Sequence, residues 1–191
     1  MNAYRSLRNL LLAIRAGAAS GAISSGIAYY YGLEAMPATV KLKDIVDALD
    51  EQFDESTYFV NLDTGEIKVV SKDLLREAEE FGDDEEEPDL PKWQEREWEL
   101  AKRIVSTRSF HHLPSKFDIH EWSIMQDFAH SIEPGEIRDD LLDAIHGAGA
   151  FRNFKYALRV HRIESDWFEF RNNALRQIAI DWCKRNHVPW E

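Results

Sequence analysis

Apolar residues recur at intervals of three and four along most of the chain, and this is the period of an amphipathic helix. The first segment of this kind has Leu42, Ile45 and Leu49 at the recurring positions. Six more segments show the same pattern, within about residues 71–81, 91–105, 118–131, 137–146, 150–162 and 166–186. Ser71 and Ser165 stand where the N-cap of a helix is expected. The pattern therefore predicts about seven helices.

The pattern changes at residues 58–70, where β-branched and aromatic residues replace the helical period. The runs 58–60 and 67–70 are separated by a turn that contains Gly65, and glycine adopts a positive φ without steric cost. This arrangement is typical of a β-hairpin, which we place at about residues 57–70. The predicted fold class is α+β, mostly α-helical, with one β-hairpin near the N-terminus.

Two segments do not fit a packed core. Residues 1–35 contain a short apolar run at 10–14, which is shorter than the roughly 7–15 apolar residues of a secretory signal. We expect residues 1–35 to be a flexible or non-native extension, with a targeting segment or an additional packed helix as the alternatives. The acidic run at 83–87 indicates a solvated linker at 82–90. Residues 36–191 are then expected to form a single globular domain.

The chain of 191 residues has a formal net charge of -12, which is unevenly distributed. The net charge is -17 over residues 37–148 and +3 over residues 149–191. Such an acidic body repels the phosphates of a nucleic-acid duplex, so we do not expect the whole chain to bind DNA. The single cysteine, Cys183, and the absence of a run of about 18 apolar residues favour a cytoplasmic location without a membrane span.

The cations of the C-terminal part gather on one predicted helix. Arg152, Lys155, Arg159 and Arg162 fall on one stripe of this helix, beside its apolar face. The helix follows the glycine-rich turn 147–149, so its free N–H groups are placed to bind an anion such as a phosphate, a nucleotide or an acidic peptide. The alternative is that the glycines form a tight turn between helices and that the cations pair with the acidic middle of the same chain.

A charged residue, Arg171, lies in the middle of the apolar face of the last predicted helix. An unpaired buried guanidinium would cost several kcal/mol, so a carboxylate or a bound anion is expected opposite it. We predict an internal ion pair between Arg171 and Glu121, or else Asp118, because Glu121 falls on the apolar face of its own helix. The alternative is a ligand pocket around Arg171. The candidate ligand-binding residues are therefore Arg152, Lys155, Arg159 and Arg171.

The sequence carries no complete catalytic or metal-binding motif. Asp118, His120 and Glu121 are the only weak candidates for a catalytic acid–base cluster. His120 and His130 are ten residues apart, whereas two metal ligands on one helix are normally three or four residues apart. We therefore expect no metal site and no cofactor.

Four stretches together resemble a known family: PSKFDIHEW at 114–122, GAGAFRNFK at 147–155, WFEFR at 167–171 and IAIDWC at 178–183. The family is a bacterial one known as uncharacterised protein family 0158. The resemblance covers about residues 39–188, and members typically begin near the position of Met36. It implies a fold but no catalytic residues, because the family has no established activity. Ala148 and Asn153 stand where the family often has arginine, which weakens the anion-binding interpretation of the basic helix.

Three functions are compatible with these patterns. The first is a non-enzymatic, cytoplasmic protein-interaction or regulatory module, with Trp93, Trp98 and the acidic linker as candidate contact points. The second is an anion- or nucleic-acid-binding protein that uses the basic helix at 150–162. The third and weakest is a hydrolytic enzyme that uses the acid–base cluster described above.

Overall fold

The computed structural model describes residues 37–82, 88 and 90–191. In this part the chain forms eight helices and three strands, in the order α1 (Leu42–Asp50), β1 (Ser56–Asn61), β2 (Ile67–Ser71), α2 (Lys72–Glu80), α3 (Lys92–Ser106), β3 (Phe110–His112), α4 (Lys116–Ile119), α5 (Glu121–Ser131), α6 (Glu136–Ala144), α7 (Ala150–His161) and α8 (Glu164–Arg185). The predicted class, a mostly helical α+β fold, is confirmed. None of these helices is long and apolar enough to cross a lipid bilayer. The predicted extension at 1–35 and most of the predicted linker at 82–90 lie outside the described residues.

The three strands form one antiparallel sheet in the order β2-β1-β3. β1 and β2 are the predicted hairpin, with Val60 opposite Ile67. Gly65 has a φ of 73° in the connecting turn, and a side chain there would collide with the backbone carbonyl of Thr39. The pattern does not predict β3, because three residues are too few to show an alternation of polar and apolar positions.

β1 separates two hydrophobic cores, because successive side chains of a strand point to opposite faces of a sheet. Tyr58 and Val60 contribute to the larger core, which α1 and α4 to α8 complete. Phe59 contributes to the smaller core, together with residues of β2, α2 and α3. The helices of the larger core carry most of the residues that were candidates for function.

The buried face of α3 covers one of the two tryptophans that were expected to be contact points. Its buried stripe consists of Trp98, Ala101 and Ile104, and Trp98 is only 3% exposed. The ring of Phe81 packs edge-on against that of Trp98, with 5.4 Å between the ring centroids. Trp93 is 74% exposed. The expectation that Trp98 is a contact point is therefore wrong, because the smaller core covers it. Trp93 remains accessible.

The predicted helix at 118–131 is two helices, α4 and α5, which are separated by His120. The backbone of His120 is left-handed, with φ 51° and ψ 54°. Ile119 and Ile124 are both buried, but in one continuous helix a separation of five residues would set them about 140° apart. The break turns both side chains towards the core.

The ends of two other helices test the predicted caps. Ser71 is the N-cap of α2, and its hydroxyl accepts a hydrogen bond of 3.3 Å from the backbone N–H of Leu74. Ser165 is not the N-cap of α8. The helix begins at Glu164, and Ile163 occupies the cap position. α7 ends at His161 and its C-cap Arg162 has a left-handed backbone, so only two residues separate α7 from α8.

The beginning and the end of the described domain are joined by backbone hydrogen bonds. Val40 and Trp190 form a parallel bridge. The N–H of Val40 donates to the carbonyl of Pro189 at 3.0 Å. These bonds fix α1 against α8 and so bring Asp50, the last residue of α1, to Arg171.

Candidate functional site

A cleft of about 1040 Å³ opens between α1, α4, α5, α7 and α8. Its buried lining is apolar and belongs to the larger core: Leu49, Ile119, Met125, Phe154 and Trp167. Charged side chains of both signs and four exposed aromatic rings surround this lining. Binding sites in proteins are concave and mostly apolar, with a few polar groups at fixed positions, so the cleft is the candidate site.

Four exposed aromatic side chains, which we call the aromatic rim, border the cleft. Phe117 is 85% exposed, Phe168 is 64% exposed, Phe151 is 52% exposed and Trp122 is 43% exposed. They come from α4, α8, α7 and α5 respectively, so four separate elements bring them together. The indole Nε1–H of Trp122 donates a hydrogen bond of 3.0 Å to the carbonyl of Ile145, which holds the ring at the rim.

The sequence gives a weak signal for part of this rim. Phe168 follows the buried Trp167 directly, so on a helix it lies about 100° away from the buried stripe. Phe117 lies between Lys116 and Asp118 on a helix of only four residues. An aromatic residue outside the apolar stripe of its helix is the signal that could have identified both positions.

The predicted ion pair between Arg171 and Glu121 is confirmed. The Nε–H of Arg171 donates to Oε1 of Glu121 at 2.6 Å, and an Nη1–H donates to the carboxylate of Asp50. Burial lowers the pKa of Arg171, but the hydrogen bonds with the two carboxylates outweigh burial and raise it overall. Asp118, the other predicted partner, does not contact Arg171. The ion cluster of Asp50, Glu121 and Arg171 therefore forms one polar wall of the cleft.

The four cations of the basic helix do not act as one stripe. Lys155 lines the cleft, is exposed, and has no ion-pair partner in the described part of the chain. Arg159 pairs with Glu164 at 3.3 Å, an acid of the C-terminal part and not of the acidic middle of the chain. Arg152 and Arg162 are exposed and do not line the cleft. Only Lys155 and Arg171 of the four candidate ligand-binding residues therefore meet at the cleft.

The turn before α7 has the geometry of a tight connection between helices. Gly147 and Gly149 both have positive φ, at 75° and 82°. Gly149 is the N-cap of α7, and its carbonyl accepts a hydrogen bond of 3.0 Å from the N–H of Asn153. The first turn of α7 contains no acidic residue. The turn alternative accounts for both glycines without a bound anion.

Two further lysines border the cleft on the side of α1. Lys116 pairs with Oδ1 of Asp54 at 2.8 Å, and this hydrogen bond holds the pKa of Asp54 below its usual value. The ammonium group of Lys72 donates to the backbone carbonyl of Asp54 at 2.5 Å. The carboxylate of Asp54 thus pairs with Lys116, and its backbone carbonyl orients Lys72.

The three weak catalytic candidates do not form a joined cluster. Asp118 accepts hydrogen bonds from the backbone N–H and the hydroxyl of Ser115, at 2.8 and 2.6 Å, and these bonds lower its pKa. Glu121 is bound to Arg171. His120 lines the cleft, but within the described residues no hydrogen bond joins it to Asp118 or Glu121. In that part of the chain, no group of three His, Cys, Asp or Glu side chains is placed to hold a metal ion.

Comparison with known proteins identifies the family. The model of an uncharacterised protein family, UPF0158, matches residues 35–190. A curated relative, UPF0158 protein PA5073 of Pseudomonas aeruginosa, is 23% identical over 156 residues, which cover 80% of this chain and 86% of the relative. No solved structure matches the chain. The chain therefore belongs to the uncharacterised protein family UPF0158.

Proposed function

We propose that this protein is a non-enzymatic protein-interaction module that binds a segment of another protein in the cleft. The observation that carries the proposal is the aromatic rim, in which four rings from four elements stand exposed around one concavity. Single exposed apolar side chains are normal on a protein surface, but contiguous exposed apolar patches mark interaction sites. Aromatic residues also supply most of the anchors of protein interfaces.

A protein segment fits the cleft better than a small molecule. A pocket for a small molecule encloses about 70–90% of the ligand surface, so the rings around it are themselves largely buried. Here Phe117 and Phe168 remain mostly exposed and extend the apolar surface beyond the cleft. A ligand that covers these two rings must reach outside the concavity, as a helix or an extended segment does.

A cytoplasmic location is part of the proposal. The single cysteine, Cys183, is buried, and burial raises the pKa of its thiol to about 11. A thiol of this kind stays protonated and acts as a small core residue, which suits a reducing compartment.

Photo-crosslinking at the aromatic rim tests the proposal. A benzoylphenylalanine residue in place of Phe117 or of Phe168 should crosslink the same protein from native cells. The matched control is the same residue in place of Trp93, which is equally exposed but lies on α3, away from the cleft. All three positions are exposed, so the substitutions should not disturb the core.

The purified partner then gives the quantitative test. Phe168→Ser should weaken its binding by about 30-fold, the effect of losing a central aromatic anchor, while Trp93→Ser should leave it unchanged. Crosslinks that form only at position 93, or none at the two rim positions, would contradict the proposal.

Binding of an anion or a nucleic acid by α7 is the second candidate function. The observation that favours it is that Arg152 and Arg162 are exposed and, among the described residues, have no ion-pair partner. Titration with single-stranded and duplex oligonucleotides at low and moderate salt tests it, because phosphate contacts give a steep salt dependence. Binding that is lost in the double variant Arg152→Glu and Arg162→Glu would support this function, and no binding at low salt would exclude it.

A further inference from the structure

Four cations and three carboxylates line the cleft, so its charged lining has one positive charge in excess. Arg171 pairs with both Asp50 and Glu121 within the ion cluster. Lys116 and Asp54 neutralise each other. Lys155 is the cation in this wall that meets no carboxylate and no other hydrogen-bond acceptor in the described part of the chain.

Apolar groups beside Lys155 strengthen the interaction of its ammonium group with an anion. Phe151 lies one helical turn before it on α7, and the neighbouring Phe154 belongs to the buried lining of the cleft. A charge beside apolar walls is less screened than a charge in open water, so an anion placed there binds more strongly.

We propose that the segment bound in the cleft is an acidic amphipathic segment, with apolar anchors that cover the aromatic rim and a carboxylate that pairs with Lys155. This inference rests on the proposed function, since it names the chemistry of the segment that the cleft receives. Charge complementarity selects the acidic side chain, because the lining has one positive charge in excess and Lys155 has no ion-pair partner in the described part of the chain. The exposed rings of the aromatic rim indicate that the residues of the bound segment around this carboxylate are apolar.

An anionic membrane shares the combination of apolar groups and negative charge, but it fits the surface less well. The aromatic rim surrounds a concavity, whereas side chains that insert into a bilayer project from a convex surface or from one face of an amphipathic helix. The acidic body of the chain also repels an anionic lipid surface.

Selection of peptides on the full chain tests the inference. A display library of short random peptides is selected against the immobilised protein, and the enriched sequences are synthesised with a fluorescent label. Binding is then measured by fluorescence anisotropy to the wild type, to Lys155→Glu and to the matched control Arg152→Glu. Both residues are exposed cations on α7, and only Lys155 lines the cleft.

The enriched peptides should combine aromatic or aliphatic residues with Asp or Glu. Lys155→Glu should weaken their binding about tenfold, because an attraction becomes a repulsion, and Arg152→Glu should change it less than about twofold. Replacing the acidic residue of the peptide with lysine should restore binding to Lys155→Glu. This exchange would not rescue a variant that had merely lost its fold.

Three results would overturn the inference, and they separate it from the proposed function. If Phe168→Ser abolishes peptide binding but Lys155→Glu does not alter it, the segment is apolar and only the inference fails. If no enriched peptide depends on Phe168, the proposed function fails as well. If vesicles of anionic phospholipid bind the wild type but not Phe168→Ser, and no peptide competes with them, the occupant is a membrane surface.

Discussion

Arg171 shows how the fold accommodates a charged side chain among apolar residues. Arg171 is embedded in the larger core, where its side chain is only 20% exposed, and two carboxylates hold it. The hydrophobic pattern reveals the need for a partner, because a guanidinium on an apolar stripe cannot remain unpaired. It does not reveal Asp50, because that contact depends on how α1 packs against α8.

Removal of Arg171 should destabilise the protein more than removal of one of its partners. Arg171→Met leaves Glu121 and Asp50 facing each other without a cation, and we expect a loss of about 2 kcal/mol in the free energy of unfolding. Asp50→Asn should cost about 0.5 kcal/mol, because Asp50 is half exposed and Glu121 still holds the arginine. Urea denaturation measures both values, and equal losses of stability in the two variants would contradict this ranking.

Cys183 should be chemically inert in the folded protein. Its thiol is buried and its pKa is raised to about 11, so at pH 8 the reactive thiolate is scarce and access is blocked. Ellman's reagent should leave the native protein unmodified at pH 8 and should modify one thiol per chain after unfolding in urea. Rapid modification of the native protein would mean that the C-terminal part of α8 opens easily.

Secondary-structure elements follow the hydrophobic pattern where they are long and amphipathic. Six of the seven predicted helices are single helices in the structure, and the hairpin is present, because each buries a stripe or face of apolar residues. The departures occur in short elements. β3 has only three residues, and the break at His120 serves the burial of Ile119 and Ile124, a tertiary requirement that local propensity does not contain.

The break between α4 and α5 predicts an unusual ranking of substitutions at position 120. In a continuous helix alanine is more stabilising than glycine by about 1 kcal/mol. At a left-handed position the order reverses, because glycine alone adopts this backbone without strain. His120→Gly should therefore be more stable than His120→Ala by about 1 kcal/mol in thermal or urea unfolding. The opposite order would support one helix over residues 118–131.

The whole molecule combines features that the sequence predicts with a site that it does not. An acidic body and an internally paired arginine follow from composition and periodicity. The cleft does not, because its aromatic rim comes from four elements whose mutual arrangement is fixed by the larger core. The expectation that acids from upstream in the chain satisfy the cations near the C-terminus holds for Arg171 but not for Arg159, whose partner Glu164 follows it in the chain. It fails for Lys155, which no acid of the described chain reaches.

The six tryptophans allow a direct test of whether the cleft is the binding surface. Each indole N–H gives its own signal in a proton–nitrogen correlation spectrum, and substitution by phenylalanine assigns it. Trp122 stands on the aromatic rim and Trp167 in the buried lining, whereas Trp93 and Trp190 are exposed elsewhere. Titration with a peptide selected on the full chain should shift the signals of Trp122 and Trp167 and leave those of Trp93 and Trp190 unchanged. A shift at Trp93 or Trp190, with Trp122 unmoved, would contradict the account.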